Sequence, residues 1–206
     1  MFIPMSGLVQ GTKLPTYLDS FGNTTDQSVF DFTGLSFESG DLLVAVITAD
    51  QNEDAVTQSV SGMTNLLGGL GGSNISIGVY WKISDGTETT ISFSDSTRVS
   101  NAVYSFRNAQ AGVADFTSLS ADPPSITNNQ QDTVLIVAAE KGEETAAPVP
   151  PSGYSLITSS LSTESGSVTL NVAIKERASA NEDPAAFTSW PSDTKYSVAT
   201  FSITGS

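Results

Sequence analysis

At 206 residues, with 22 acidic and 8 basic side chains and a formal charge of −14, the chain is long enough to bury a core and too acidic to favour nucleic acid or anionic lipid as a partner. It contains neither cysteine nor histidine, which excludes disulfides, thiol nucleophiles, the Ser-His-Asp relay and the commonest transition-metal ligands. It also lacks the roughly 18 consecutive apolar residues of a membrane helix and the basic and apolar segments of an export signal. We therefore expect a soluble, non-enzymatic protein with no cofactor.

Apolar and polar residues alternate through most of the chain, and turn residues interrupt the alternation at short intervals. This pattern predicts antiparallel β-strands and does not support an amphipathic helix. The predicted strands, in chain order, are 28–37, 41–49, 74–83, 89–94, 100–107, 133–140, 154–161, 167–175 and 195–204.

The predicted strands fall into two sets that resemble each other. DLLVAVITA, which begins at Asp41, aligns with DTVLIVAAE, which begins at Asp132, at an offset of 91. The offset is 93 where NISIGVYWKI aligns with SVTLNVAIK, and 97 where 93–106 aligns with 190–203. A weaker echo pairs DFTGLS with DFTSLS, at 31–36 and 115–120. The order is preserved and each change of offset falls between strands, which indicates an internal duplication.

Two such copies predict an all-β fold, an antiparallel two-sheet sandwich of jelly-roll-like form built from two degenerate repeats. Repeat one spans 31–107 and repeat two 115–204, within a sandwich domain of residues 31–206. Two independent sandwiches in tandem are the alternative, although the joint at 108–114 lacks the composition of a long linker. Residues 1–30 form an N-terminal segment without a counterpart in repeat two, either an edge strand with a loop or an arm that orders on a partner.

Acidic loops are the candidates for metal binding or hydrolysis. Asp50, Asn52 and Asp54 match the first three ligand positions of a Ca²⁺ loop, but alanine and serine stand where that loop needs glycine and glutamate. A solvated acidic loop explains this stretch better. Glu88 and Glu182 occupy comparable turns of the two copies, which favours a repeated structural turn over the paired carboxylates of a glycosidase.

Apolar residues outside the predicted core are the candidates for partner contact. LLGGLGG at 66–72 lacks the Lys-Ser/Thr of a phosphate loop and predicts a flexible hairpin tip. In NISIGVYWKI, strand alternation places Trp81 on the core face and Tyr80 on the opposite face, as an exposed contact. Trp190 aligns with Phe93 and is likewise expected in the core. The candidate interface residues are Phe2, Ile3, Met5, Leu8, Leu66, Leu67, Leu70 and Tyr80.

These features resemble a family of small β-sandwich proteins encoded among the virion genes of tailed bacteriophages and prophages. The residues that carry the resemblance are Gly40-Asp41-Leu42-Leu43-Val44, Ser61-Gly62-Met63-Thr64, Val79-Tyr80-Trp81-Lys82, Glu88, Phe93-Ser94 and Tyr104-Ser105-Phe106-Arg107, with Pro151-Ser152-Gly153-Tyr154 and Ala199-Thr200-Phe201 in the second copy. The chain departs from the family pattern at Met63, where tryptophan is usual, and at Asn108, where glycine is usual.

The resemblance implies a non-enzymatic virion structural protein, in particular a capsid decoration or cement protein that stabilises the head shell. The implied partners are the major capsid protein or another virion protein, and further copies of the chain in a homo-oligomer. The implied location is the virion, assembled in the host cytoplasm. The alternative is a tail- or fibre-associated module that binds a host-surface glycan through Tyr80 and the loop tips. A third hypothesis is a carboxylate-based hydrolase, which would need Asp85 or Glu88.

Overall fold

The computed structural model describes residues 13–23, 29–50, 60–70, 75–92, 99–118, 120–129, 131–141, 147–160, 168–189 and 196–206. Within these ranges the chain forms fourteen β-strands and no helix, so none that could cross a membrane. The strands are β1 (Thr16–Asn23), β2 (Val29–Asp31), β3 (Leu42–Ala49), β4 (Thr64–Leu70), β5 (Ser76–Ile83), β6 (Thr90–Ser92), β7 (Val99–Arg107), β8 (Ala109–Ser118), β9 (Ile126–Thr127), β10 (Thr133–Lys141), β11 (Ser155–Ser160), β12 (Val168–Lys175), β13 (Asn181–Glu182) and β14 (Tyr196–Gly205).

Ten of these strands build two five-stranded sheets in which all neighbours are antiparallel. Sheet 1 has the strand order β1-β7-β3-β5-β4, and sheet 2 has the order β8-β14-β10-β12-β11. The four shortest strands form two separate pairs, β2 with β6 and β9 with β13. The predicted all-β, antiparallel architecture is therefore confirmed.

The two sheets pack face to face on one shared hydrophobic core. Every second residue of the central strands enters this core, because successive side chains of a strand point to opposite faces. Val46 and Val79 enter it from sheet 1, and Val137, Val172 and Phe201 from sheet 2, all with no solvent exposure. Each sheet thus buries its inner face against the other.

The outer face of each sheet is also covered. Phe30, Phe32 and Leu35, from β2 and the loop after it, pack on the outer face of sheet 1. Ile126 and Phe187 belong to the equivalent cluster on sheet 2. The central strand β3 is therefore buried on both faces. This explains why its sequence is a continuous apolar run instead of an alternation.

The two halves of the chain have the same topology. Raising each strand number of sheet 1 by seven gives the strand order of sheet 2, and it also converts the β2–β6 pair into the β9–β13 pair. Across the shared core, β1 contacts β11 and β4 contacts β8, while β7 contacts β12 and β5 contacts β14. Exchanging the halves converts each of these contacts into the other, so the sheets are related by an approximate two-fold axis.

Most predicted strand positions are confirmed. Eight strands, β3, β5, β6, β7, β10, β11, β12 and β14, begin and end within two residues of the predicted limits. The predicted strand at 28–37 is wrong beyond β2, since residues 32–37 are not in a strand.

Four further features can be compared with the sequence. Residues 16–23 form β1 at the edge of sheet 1, which is the edge-strand alternative for the N-terminal segment. Their topological counterpart in the second half is β8, although the sequence showed no counterpart. The joint at 108–114 lies mostly within β8. Residues 66–70, expected in a hairpin tip, belong to β4. The echo between 31–36 and 115–120 is wrong, because 31–36 contains the end of β2 and the residues after it, whereas 115–118 lie within the longer strand β8.

Candidate functional site

The predicted partner contacts only partly lie among the described residues. Leu66 and Leu67 are partly buried and pack against the core between the sheets. The side chain of Leu70 lies outside the described part of the structure. The predicted contacts Phe2, Ile3, Met5 and Leu8 also lie outside the described residues.

Tyr80 and Trp81 lie on opposite faces of β5, as strand alternation predicts, but the prediction that Tyr80 is exposed is wrong. Trp81 packs partly buried against the core between the sheets, as expected. Tyr80 points to the outer face of sheet 1, where it is only 2% exposed because Phe30, Phe32 and their neighbours cover it. A ring covered in this way cannot serve as an exposed contact. Trp190 lies outside the described residues.

Of the three candidate ligands in the calcium-like loop, only Asp50 lies among the described residues. Asp50 follows β3 and is 2% exposed, so the expectation of a solvated loop is wrong for this residue. The other two candidates, Asn52 and Asp54, lie outside the described residues. Within the described ranges, no group of three or more carboxylates is arranged to hold a metal ion.

Glu88 closes the turn between β5 and β6. Its carboxylate accepts a hydrogen bond from Ser84 Oγ at 2.7 Å and lies 2.5 Å from Lys82 Nζ, at the end of β5. It also accepts backbone N–H bonds from Asp85 and Gly86. Burial alone would raise the pKa of Glu88, but these hydrogen bonds outweigh it and lower the pKa to about 2.

Glu182 occupies the equivalent turn of the second half, on β13. Its Oε1 lies 2.6 Å from Lys175 Nζ and accepts a hydrogen bond from Tyr154 Oη at 3.1 Å. Its Oε2 accepts bonds from Ser179 Oγ and Ser179 N–H. Burial acts to raise the pKa of Glu182, and the bonds from Lys175 and Ser179 reverse this and lower it. The pKa of Tyr154 is raised by burial and by the neighbouring Glu182 charge.

The two glutamates are therefore fully engaged carboxylates that hold equivalent turns, and each belongs to its own half. A glycosidase needs one carboxylate as a proton donor with a raised pKa, and both glutamates have lowered values. This agrees with the prediction of a repeated structural turn.

A second pair of equivalent positions lies at the start of β3 and β10. Asp41 is 4% exposed and binds Arg107 from the end of β7, with Nε on Oδ1 and Nη2 on Oδ2, both at 3.1 Å. The same guanidinium lies 3.1 Å from Glu38. Asp132 in the second half is 3% exposed, and no described residue forms a salt bridge with it. Burial raises the pKa of Asp132, and hydrogen bonds from the Asn129 backbone N–H and the Asn128 side chain lower it by less, so the pKa remains raised.

A cavity of about 510 Å³ opens beside Asp132. It is lined by Lys13, Leu14, Gln110, Asn129, Asp132, Thr204 and Gly205. The sequence did not predict this cavity, because its lining residues come from four separate segments of the chain. The one related signal in the sequence is the alignment of Asp132 with Asp41, which does not show that the two positions differ in their cation.

No protein-family model, curated protein or solved structure matches the chain.

Proposed function

We propose that the protein is a non-enzymatic structural component of a tailed-phage virion, and specifically a capsid decoration protein that stabilises the head shell. The observation that carries this proposal is how the motif residues meet in space. The Gly-Asp motif supplies Asp41 and the Phe-Arg motif supplies Arg107, and these two form the bidentate pair. Lys82 and Glu88, from two further motifs, form a second ion pair between motif residues.

The shared motif residues therefore have structural partners in this chain. Two of the motif glycines, Gly40 and Gly62, have positive φ angles of 93° and 74°, which glycine adopts without strain. A pattern of charged pairs and turn glycines specifies a fold and not a reaction. The motif residues therefore support a structural role for the protein. Contacts with other virion proteins would then be made by the loops and the N-terminal residues.

We infer that the two halves descend from one duplicated unit and that the connections follow a jelly-roll-like plan. The support for duplication is that strand order, turn glycines and Lys–Glu pairs recur in both halves. The partners are the major capsid protein and further copies of the chain, and the location is the virion.

The acidic balance of the chain fits such a role. A formal charge of −14 repels nucleic acid and keeps densely arrayed copies soluble. It also favours binding to a basic surface, which is where electrostatic attraction raises association rates.

The location is tested with particles of a phage or induced prophage that encodes the chain. Heads and tails are separated by density gradient and each fraction is analysed by mass spectrometry. The proposal expects the chain in the head fraction at a copy number near that of the capsid subunits or a simple fraction of it. Recovery only in tails, or in neither fraction, would sink the decoration role.

The N-terminal contact is tested by deleting residues 2–12, which removes Phe2, Ile3, Met5 and Leu8. The proposal expects the truncated protein to keep the β-type circular dichroism spectrum but to be absent from particles. A matched variant with these four residues replaced by alanine separates loss of apolar contact from loss of chain length. Normal incorporation of both variants would remove this segment from the interface.

The glycan-binding alternative has lost its main support among the described residues, because Tyr80 is covered. A tail-associated module would need other exposed aromatic rings for sugar stacking. The one exposed aromatic ring among the described residues, Phe21, is 41% exposed and packs on Phe30.

A further inference from the structure

The Asp41 and Asp132 positions are equivalent by strand register as well as by sequence. In sheet 1, Leu42 pairs with Phe106, so Asp41 and Arg107 lie just outside this pair. In sheet 2, Thr133 pairs with Ile203, so Asp132 and Thr204 lie in the same places. Thr204 therefore stands where the first half has Arg107.

The backbone around the two aspartates is also the same. Asp41 Oδ2 accepts the Glu38 N–H at 2.8 Å, and Asp132 Oδ2 accepts the Asn129 N–H at 2.9 Å. The Asp41 carbonyl accepts a backbone N–H from Ser84, and the Asp132 carbonyl accepts one from Ala178, both at 2.8 Å. Each carboxylate is thus held in the same orientation by the same kind of frame.

What differs is the cation. The first half fills the position with the Arg107 guanidinium, which also reaches Glu38. The second half replaces Arg107 by Thr204 and Glu38 by Asn129, and the cavity lies between these shorter, uncharged side chains and Asp132. No described residue forms a salt bridge with Asp132, and a buried carboxylate without such a partner is unfavourable because desolvation disfavours its charged form.

We propose that the cavity beside Asp132 binds a guanidinium group carried by an arginine side chain of another polypeptide. The two carboxylate oxygens of Asp132 match the planar fork of a guanidinium, as those of Asp41 do within the chain. The side chains of Asn129, Gln110 and Thr204 line the same cavity and carry acceptor oxygens for the remaining N–H groups. The negative charge of the chain favours a basic partner.

Lys13 also lines the cavity and is the competing cation. It is exposed, and no described residue forms a salt bridge with it. An ammonium is a point charge that does not bind both carboxylate oxygens in the bidentate manner of a guanidinium. The inference therefore expects an arginine to bind with Lys13 present, and to bind more tightly once Lys13 is removed. It does not depend on the proposed virion role.

The experiment titrates the full-length ¹⁵N-labelled protein with N-acetyl-arginine-N′-methylamide, followed by amide chemical shifts. We expect saturable shifts at Asp132, Asn129 and Gly205. The lysine analogue should bind at least about tenfold more weakly, because it lacks the bidentate fork. The uncharged citrulline analogue should cause no saturable shift.

Two variants test the site from opposite directions. Asp132→Asn should weaken arginine binding at least about tenfold, since it removes the charge. Thr204→Arg places a guanidinium where the first half has one, so it should abolish binding of the added arginine and raise the melting temperature. Asp115→Asn, an exposed carboxylate on β8, is the matched control and should bind as the unmodified chain does.

Several outcomes would overturn the proposal. Equal shifts with the arginine and citrulline analogues would exclude charge recognition. Binding seen only in Lys13→Ala would show that Lys13 fills the site in the native chain. Tighter binding of free arginine than of the capped analogue would exclude a polypeptide source. If Asp132→Asn does not fold, unchanged binding in a folded Thr204→Arg variant would be sufficient to reject the site.

Discussion

The Lys82–Glu88 and Lys175–Glu182 pairs hold equivalent turns, yet each carboxylate receives its hydroxyl hydrogen bonds from different places. Glu88 is bonded by Ser84. The residue that makes the same backbone hydrogen bonds in the second half is Ala178, whose N–H binds the Asp132 carbonyl as that of Ser84 binds the Asp41 carbonyl. Glu182 is bonded instead by Tyr154 and Ser179. The residue aligned with Tyr154 in the first half is Met63, which carries no hydroxyl. A mostly buried carboxylate needs several hydrogen-bond donors, and the two halves supply the hydroxyl donors from residues at different positions.

Replacing Glu88 by glutamine should destabilise the protein at neutral pH. The folded-state pKa of Glu88 is lowered to about 2 from an ordinary value of 4.5. Its stabilising effect is therefore complete above pH 4.5 and is lost as the pH falls from there through about 2. We expect Glu88→Gln to lower the free energy of unfolding by about 1–3 kcal/mol at pH 7, because Lys82 loses its ion pair.

The measurement is urea unfolding of both proteins between pH 7 and pH 2. The difference between them should shrink steadily below pH 4.5, where Glu88 begins to take up a proton in the unfolded chain while it remains charged in the folded protein. Glu176→Gln is the control, since Glu176 is exposed in the turn after β12. A constant difference at every pH would show that the glutamine acts through packing and not through charge.

At the scale of the strands, alternation and turn residues were sufficient to place the central strands of both sheets. They were not sufficient for the edges. β4 contains two consecutive glycines, so its sequence suggested a mobile tip; it is held in sheet 1 by pairing with β5. β1 and β8 have weak alternation because only part of each edge strand is buried. Tertiary pairing decides such strands, and it is not encoded locally.

The same limit explains the error at Tyr80. Sequence alternation separates the two faces of β5, but it does not tell whether another part of the chain covers the outer face. The covering residues include Phe30, Phe32 and Leu35, which lie in a stretch that the residue pattern predicts as a single strand. The cavity beside Asp132 was beyond prediction for a related reason: it depends on Lys13 and Leu14 meeting the ends of β8 and β14.

The pairing of β8 with β14 depends on Gly112. A Cβ added at this position would overlap with Ser202 Oγ and would lie 2.9 Å from the Ser202 carbonyl oxygen. Ser202 lies between Phe201 and Ile203, where the β8–β14 register shifts. We expect Gly112→Ala to destabilise the protein by about 1–3 kcal/mol, because backbone atoms must move to admit the methyl group.

Gly22→Ala on β1, the counterpart strand, is the matched control. Its Cβ would meet only side-chain atoms, Ser160 Oγ at 3.2 Å and Thr158 Cγ2 at 3.3 Å. The cost should be clearly smaller, and thermal melting followed by circular dichroism compares the two variants. A larger loss at Gly22 than at Gly112 would contradict the close approach of β8 and β14.

At the scale of the whole molecule, the two halves are related by an approximate two-fold axis and share one hydrophobic core. The inner face of each sheet is apolar and is buried only by the opposite sheet. A single half would leave that face in water, and a sheet of this size has no second layer of its own large enough to replace it. The halves therefore depend on each other for stability, although each one repeats the same strand order.

This dependence predicts that the protein unfolds in one cooperative transition. The test uses the equivalent core residues Val46 on β3 and Val137 on β10, both with no solvent exposure. Val46→Ala and Val137→Ala should each lower the free energy of unfolding by about 2 kcal/mol. Each should shift the urea transition as a whole, whether it is followed by circular dichroism or by tryptophan fluorescence. Val149→Ala, at a residue that is 52% exposed, should change little. A separate early transition in Val137→Ala would instead mean that each half folds on its own, as two sandwiches in tandem would.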